Sequence, residues 1–99
     1  MRRRKRTPEE MASWQPMAFA KAWKFYGCVG NGGRAAKEWD KLKPDADDLR
    51  TMKAAIEAQR VAYGWGQPGG QAQPYFSTFL HGGDWEITDP QPTRIARQG

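Results

Sequence analysis

Five consecutive basic side chains, Arg2, Arg3, Arg4, Lys5 and Arg6, are the residues of this sequence best suited to a definite chemistry. Such a run repels itself, stays extended and is drawn to polyanions, of which nucleic acid is the commonest. The 99-residue chain carries 16 Lys plus Arg against 11 Asp plus Glu, a formal +5, so the remainder is neutral once the run is set aside. A second concentration lies at Lys21, Lys24, Arg34, Lys37, Lys41 and Lys43, opposed locally by only Glu38 and Asp40. Arg34, Lys37 and Lys41 are spaced i, i+3, i+7 and therefore share one side of a helix. One-sided positive charge of this kind suits a phosphate backbone. A solubilising tail and an ordinary solvated helix face are the plainer alternatives. Trp65 and Phe76 are the aromatic candidates for partner contact. Trp65, in a Gly-rich loop, has the chemistry to stack on an unpaired base, although a loop Trp more often covers the edge of a core.

Catalytic chemistry is thinly supplied. Cys28 and His81 are the only residues of their types, far apart in sequence, and do not make a zinc site, which wants four close ligands. Nor does one His opposite one Cys suffice for nucleophilic catalysis. The glycine-rich stretch Gly27-x-x-Gly30-x-Gly32-Gly33 is followed by Arg34 and not by Lys-Ser/Thr. It also follows a helical pattern, where a phosphate-binding loop follows a strand. Asp45, Asp47 and Asp48 precede a helix, where capping accounts for them. The expectation is a protein without catalysis, metal, cofactor or small-molecule substrate.

The elements that position these residues follow from spacing. Thr7-Pro8-Glu9-Glu10 reads as an N-cap, a proline at the first helical position and acids in the first turn, predicting a short helix over 8–14 that ends before Pro16. Met17 to Tyr26 is an amphipathic helix, with Phe19, Trp23 and Tyr26 on one stripe and Ala18, Ala22 and Phe25 widening it. After the Gly27–Gly33 turn, a second long helix runs to Lys43 on Ala35, Trp39 and Leu42. The third begins at Asp45 or Asp47 and reaches Tyr63, with Leu49, Met52, Ile56 and Tyr63 inward and Arg50, Lys53, Glu57 and Arg60 on its solvent face. Gly64 to Pro74 is a loop. Tyr75-Phe76-Ser77-Thr78-Phe79-Leu80 follows as a helical turn or two, with Tyr75, Phe79 and Leu80 facing inward and Trp85 packing behind.

Length allows one small domain, burying roughly 60–70% of the surface its unfolded chain exposes. With 38% hydrophobic residues and 12% aromatic ones, a few large rings must make the core. No stretch approaches the roughly 18 apolar residues of a membrane span. No apolar stretch follows the basic run, so it reads as neither a secretory nor a twin-arginine signal. The single cysteine fits a cytoplasmic setting. The prediction is an all-α domain of three or four helices over 17–87, closed by a C-terminal aromatic strap. Residues 1–16 form a flexible basic arm with a possible short helix, and 88–99 a flexible tail.

Phe19, Trp23 and Tyr26, then Val29-Gly30, Ala35, Trp39 and Leu42, and finally Phe79-Leu80 spaced to Trp85-Glu86, together resemble the small C-terminal helical domain of phage and prophage replication proteins, initiators and helicase-loader-like proteins among them. The resemblance covers about residues 17–87, without the winged-helix domain usual in that family and with Tyr26-Gly27-Cys28 where it often has Tyr-Pro-Arg/Lys. It implies a phage-encoded protein in a replication setting in the host cell, in contact with nucleic acid or a phage or host replication protein. A different class remains alongside: a small phage inhibitor docking on a host protein such as a nuclease effector or a polymerase.

Overall fold

The first helix is shorter than its sequence suggests, for a reason that organises the whole N-terminal end. In the computed structural model, which describes residues 7–90, α1 spans Pro8–Met11. The Thr7 N–H donates to Glu10 Oε1 at 3.0 Å, as a capped start requires. The helix then stops because the N–H groups of Ser13 and Trp14 turn away to donate to the Asp40 carboxylate, both at 2.9 Å. Two indole bonds reinforce this junction: Trp14 Nε1 donates to the Pro44 carbonyl at 2.9 Å, and Trp39 Nε1 to the Trp14 carbonyl at 2.6 Å. Met11 and Ala12 join the hydrophobic cluster. Residues 8–15, expected to belong with the arm, are thus built into the body.

The other helices are α2 (Pro16–Tyr26), α3 (Gly32–Leu42), α4 (Ala46–Tyr63) and α5 (Phe76–His81), followed by a 3₁₀ turn at Asp84–Glu86. There is no strand among the described residues, and the all-α expectation is met. Gly27 ends α2 at φ +104°, a left-handed conformation that a side chain would strain. Asn31 caps α3, its Oδ1 accepting from Arg34 N at 2.9 Å. Asp45 and Asp48 cap α4 reciprocally, at 2.9 and 3.1 Å.

The core is a stack of rings. Phe19 meets Trp39 edge-on at 5.4 Å and lies 6.2 Å from Trp23, while Tyr26 sits 4.8 Å from Phe76 and 4.9 Å from Phe79. Trp23, Trp39 and Trp85 are all buried, as their stripes predicted. The register of α5 differs from expectation. Tyr75 caps the helix and is 61% exposed, and Phe76 takes the inward position with Phe79 and Leu80. The spacing i, i+3, i+4 from Phe76 puts three apolar groups on one side, which a start at Tyr75 does not. Pro74 fixes that start: its carbonyl accepts the Tyr26 hydroxyl, and Gln73 Nε2 donates to the Tyr26 carbonyl at 2.6 Å. Burial pushes the Tyr26 hydroxyl above the ordinary phenol range, so it stays protonated as that donor.

Gln59, expected on no apolar stripe, is buried on α4. Its Nε2 donates to the carbonyls of Asp84 and Ile87, at 2.8 and 3.0 Å, and so holds the turn that carries Trp85. α5 packs chiefly on α3, the 3₁₀ turn on α4, and α1 on α2 and α3. α2 and α4 approach each other only sparsely.

Candidate functional site

The outward face of α3 is set by its buried one. Ala35, Ala36 and Trp39 point into the core, so Arg34, Lys37 and Lys41, at i, i+3 and i+7, stand on the far side and are all exposed. The two acids on this helix are committed to neighbours. Asp40 accepts the Ser13 and Trp14 N–H groups. Glu38, only 21% exposed at its side chain, lies 3.3 Å from His81 Nδ1 and 3.6 Å from Lys41 Nζ. Among the described residues, Arg34 and Lys37 have no carboxylate partner, so the stripe is unneutralised along most of its length.

Lys21, on α2, is set apart from this stripe. Lys21 and Lys24 are exposed, but Lys21 borders a gap on the α4 side, together with Lys53. The structure therefore brings Arg34, Lys37 and Lys41 together and assigns Lys21 to a different surface. Arg2, Arg3, Arg4, Lys5 and Arg6 lie outside the described residues, as do residues 91–99 of the expected tail.

Both aromatic candidates are corrected. Trp65 is 5% exposed: its N–H donates to the Arg60 carbonyl, folding the chain back over the end of α4, and its ring meets Tyr26 edge-on at 5.6 Å. Phe76 is fully buried, with the rings of Tyr26, Phe79, Trp23 and Phe19 all within 6.3 Å. Neither ring is presented to a base or a partner, because each supplies area the small core needs. The spacing Phe76-x-x-Phe79-Leu80 was the signal that could have placed the second one inward.

The glycine-rich turn has a packing role. Phe76 N donates to the Val29 carbonyl at 3.0 Å, docking the start of α5 on the turn. Gly30, at φ +100°, lies so close to Tyr75 that a Cβ there would come within 2.8 Å of the tyrosine Cβ. Arg60, expected in solvent, instead reaches across α2: its guanidinium donates to the Phe25 carbonyl and lies over the Phe25 ring, 5.1 Å from the centroid. Among the described residues no group of three or more His, Cys, Asp or Glu is placed to hold a metal ion, and no helix is long and apolar enough to cross a membrane.

The family model of the Legionella vir region protein LvrA C-terminal domain matches residues 16–83, from the first residue of α2 to just past α5. No curated protein and no solved structure matches the chain. The match overturns the resemblance to phage replication domains. Most of the positions that carried that resemblance, Phe19, Trp23, Tyr26, Ala35, Trp39, Phe79, Leu80 and Trp85, are buried, whereas Val29, Gly30, Leu42 and Glu86 are half-buried or exposed. They specify how helices pack, and a packing pattern does not distinguish one helical family from another.

Proposed function

The chain belongs to the family of the Legionella vir region protein LvrA C-terminal domain, and from that premise we propose that it is a non-catalytic module that binds nucleic acid through the phosphate backbone. The observation that carries this reading is the outward face of α3, where Arg34, Lys37 and Lys41 are exposed, Asp40 is engaged by Ser13 and Trp14, and Glu38 reaches only Lys41 of the three. From Arg34 to Lys41 the helix advances about 10 Å, enough to follow several charges of a strand that carries one per roughly 3.4 Å of axis. The basic run Arg2 to Arg6 adds further positive charge of the same use. With Trp65 and Phe76 buried, neither of those two rings supports base stacking, and the proposed contacts are to the backbone, which carries no sequence information. The replication setting rested on the overturned resemblance and forms no part of the proposal.

Fluorescence anisotropy with duplex and single-stranded oligonucleotides, at two salt concentrations, tests it. The wild type should bind both in a salt-sensitive way. The R34E/K37E/K41E variant should keep its far-UV helicity and lose affinity for every sequence alike. Its salt slope on duplex should fall by about 0.9 for each phosphate that the variant no longer neutralises. A wild type that binds neither oligonucleotide, or a triple variant with undiminished affinity, removes the proposal.

A further inference from the structure

Between α2 and α4 the packing is left open, and the opening is an apolar groove of about 320 Å³. Phe25 from one helix and Leu49, Met52 and Ile56 from the other form its floor, with Lys21 and Lys53 at its edges. Lys53 Nζ lies 5.7 Å from the centroid of the Phe25 ring, which the Arg60 guanidinium also covers. Among the described residues none of these three cations is paired with a carboxylate. An apolar floor edged by unneutralised positive charge is therefore the character of this surface.

We propose that this groove docks an acidic amphipathic helix of a partner protein. A cleft between two helices, open along its length, accepts a third helix through anchors spaced i, i+3, i+4 and i+7. α2 has 11 residues, so its length of about 16 Å matches three turns of such a ligand. Charge selects among the occupants. The two segments outside the described residues carry Arg2 to Arg6 and Arg94 with Arg97, and would set like charges against Lys21, Lys53 and Arg60. A second copy related by a twofold axis would oppose lysine to lysine across the same groove. Carboxylates flanking an apolar stripe complement both floor and edge, and they fix orientation and encounter rate as well as affinity.

The test uses a fluorescent synthetic helix of about 14 residues, with Leu and Phe at the anchor spacing and Glu on its flanks. Controls are the same peptide with Lys flanks and a scrambled Glu-rich peptide without the stripe. The wild-type chain should bind the Glu-flanked peptide saturably and the Lys-flanked one on the order of tenfold more weakly. K21E/K53E, at exposed positions, should keep the wild-type melting temperature and invert that preference. Lys37→Glu, on the α3 face, should leave peptide binding unchanged. The proposal fails if the Glu-flanked peptide does not bind, if both peptides bind alike, or if K21E/K53E leaves the preference intact. It fails equally if Lys37→Glu weakens binding as much, or if the scrambled peptide binds as well, since either outcome makes the groove a general attractor of anions, nucleic acid included.

Discussion

On one side of α2, Phe19, Trp23 and Tyr26 are sealed beneath α3 and α5, whereas on the other Ala18, Ala22 and Phe25 line a groove that α4 only partly closes. Both sides are apolar, the first with three large rings and the second with one ring and two alanines. They differ in what stands opposite: the sealed side meets rings and an indole bonded to a carbonyl, the open side meets Leu49, Met52 and Ile56, with Lys53 and Arg60 over its one ring. In a chain this small nearly every large ring is needed for the core. An aromatic left half-buried under cations is therefore a better pointer to a partner than a loop tryptophan. Substitutions that treat the two sides in parallel test the contrast directly.

The largest effect belongs to the sealed side. Trp39 is fully buried, meets Phe19 edge-on and donates its indole N–H to the Trp14 carbonyl. Trp39→Ala should cost about 3–5 kcal/mol, from lost transfer energy, the cavity left behind and an orphaned carbonyl. Urea unfolding measures it. Against a typical total of roughly 5–15 kcal/mol, that loss brings the domain to the edge of folding. A Trp39→Ala protein with an unchanged midpoint would deny the core its centre.

Tyr26→Phe should cost less, about 1 kcal/mol near neutral pH, because it removes one hydrogen bond to the Pro74 carbonyl and keeps the ring. Its pH dependence is more telling. The folded-state pKa of Tyr26 is raised by burial, so its contribution is complete below the unfolded value of about 10 and is lost as pH rises beyond it. The unfolded chain ionises there while the folded chain holds its proton. Urea midpoints of the two proteins, compared at about pH 8 and about pH 11, should therefore converge at the higher pH. A constant gap would mean that Tyr26 ionises as easily in the folded chain as in the unfolded one.

The sealed side was legible in the sequence and the open side was not, for physical reasons. The stripes of Phe19, Trp23 and Tyr26 and of Ala35 and Trp39 obey the helical period, and the cap at Asp45 is local chemistry, so both can be read from spacing. Periodicity states that a face is apolar and does not state what covers it. Ala18, Ala22 and Phe25 therefore read as more core, and Arg60 read as solvent face. The bonds that fix the tertiary arrangement are long in sequence: Asp40 to Ser13 and Trp14, Gln59 to Asp84 and Ile87, Arg60 to Phe25. A carboxylate or an amide mid-helix gives no sign of a partner 25 or more residues away. Trp65 failed for the opposite reason: its glycine-rich neighbours describe a chain free to turn, and the turn brings the ring home. The Arg34, Lys37 and Lys41 stripe was legible as geometry, since three exposed cations on one face need only the helix to exist.

The smallest effect is the sharpest test of the contrast. Ala22 is only half-buried and opens onto the groove, whereas Ala35, fully buried, faces the ring stack. Replacing each with Gln adds the same atoms in two surroundings. At Ala35 the side chain has no space and its amide no partner, so overpacking and polar burial together should cost roughly 2–5 kcal/mol. At Ala22 it can extend into the groove with its amide in water, and Gln is a good helix former, so stability should stay within roughly 0.5 kcal/mol of wild type. The same side chain occupies the space an anchor residue would need. Ala22→Gln should therefore weaken the Glu-flanked peptide while the melting temperature holds, a separation that a core position cannot produce. If Ala22→Gln destabilises as much as Ala35→Gln, the groove is closed in solution and both sides of α2 are core.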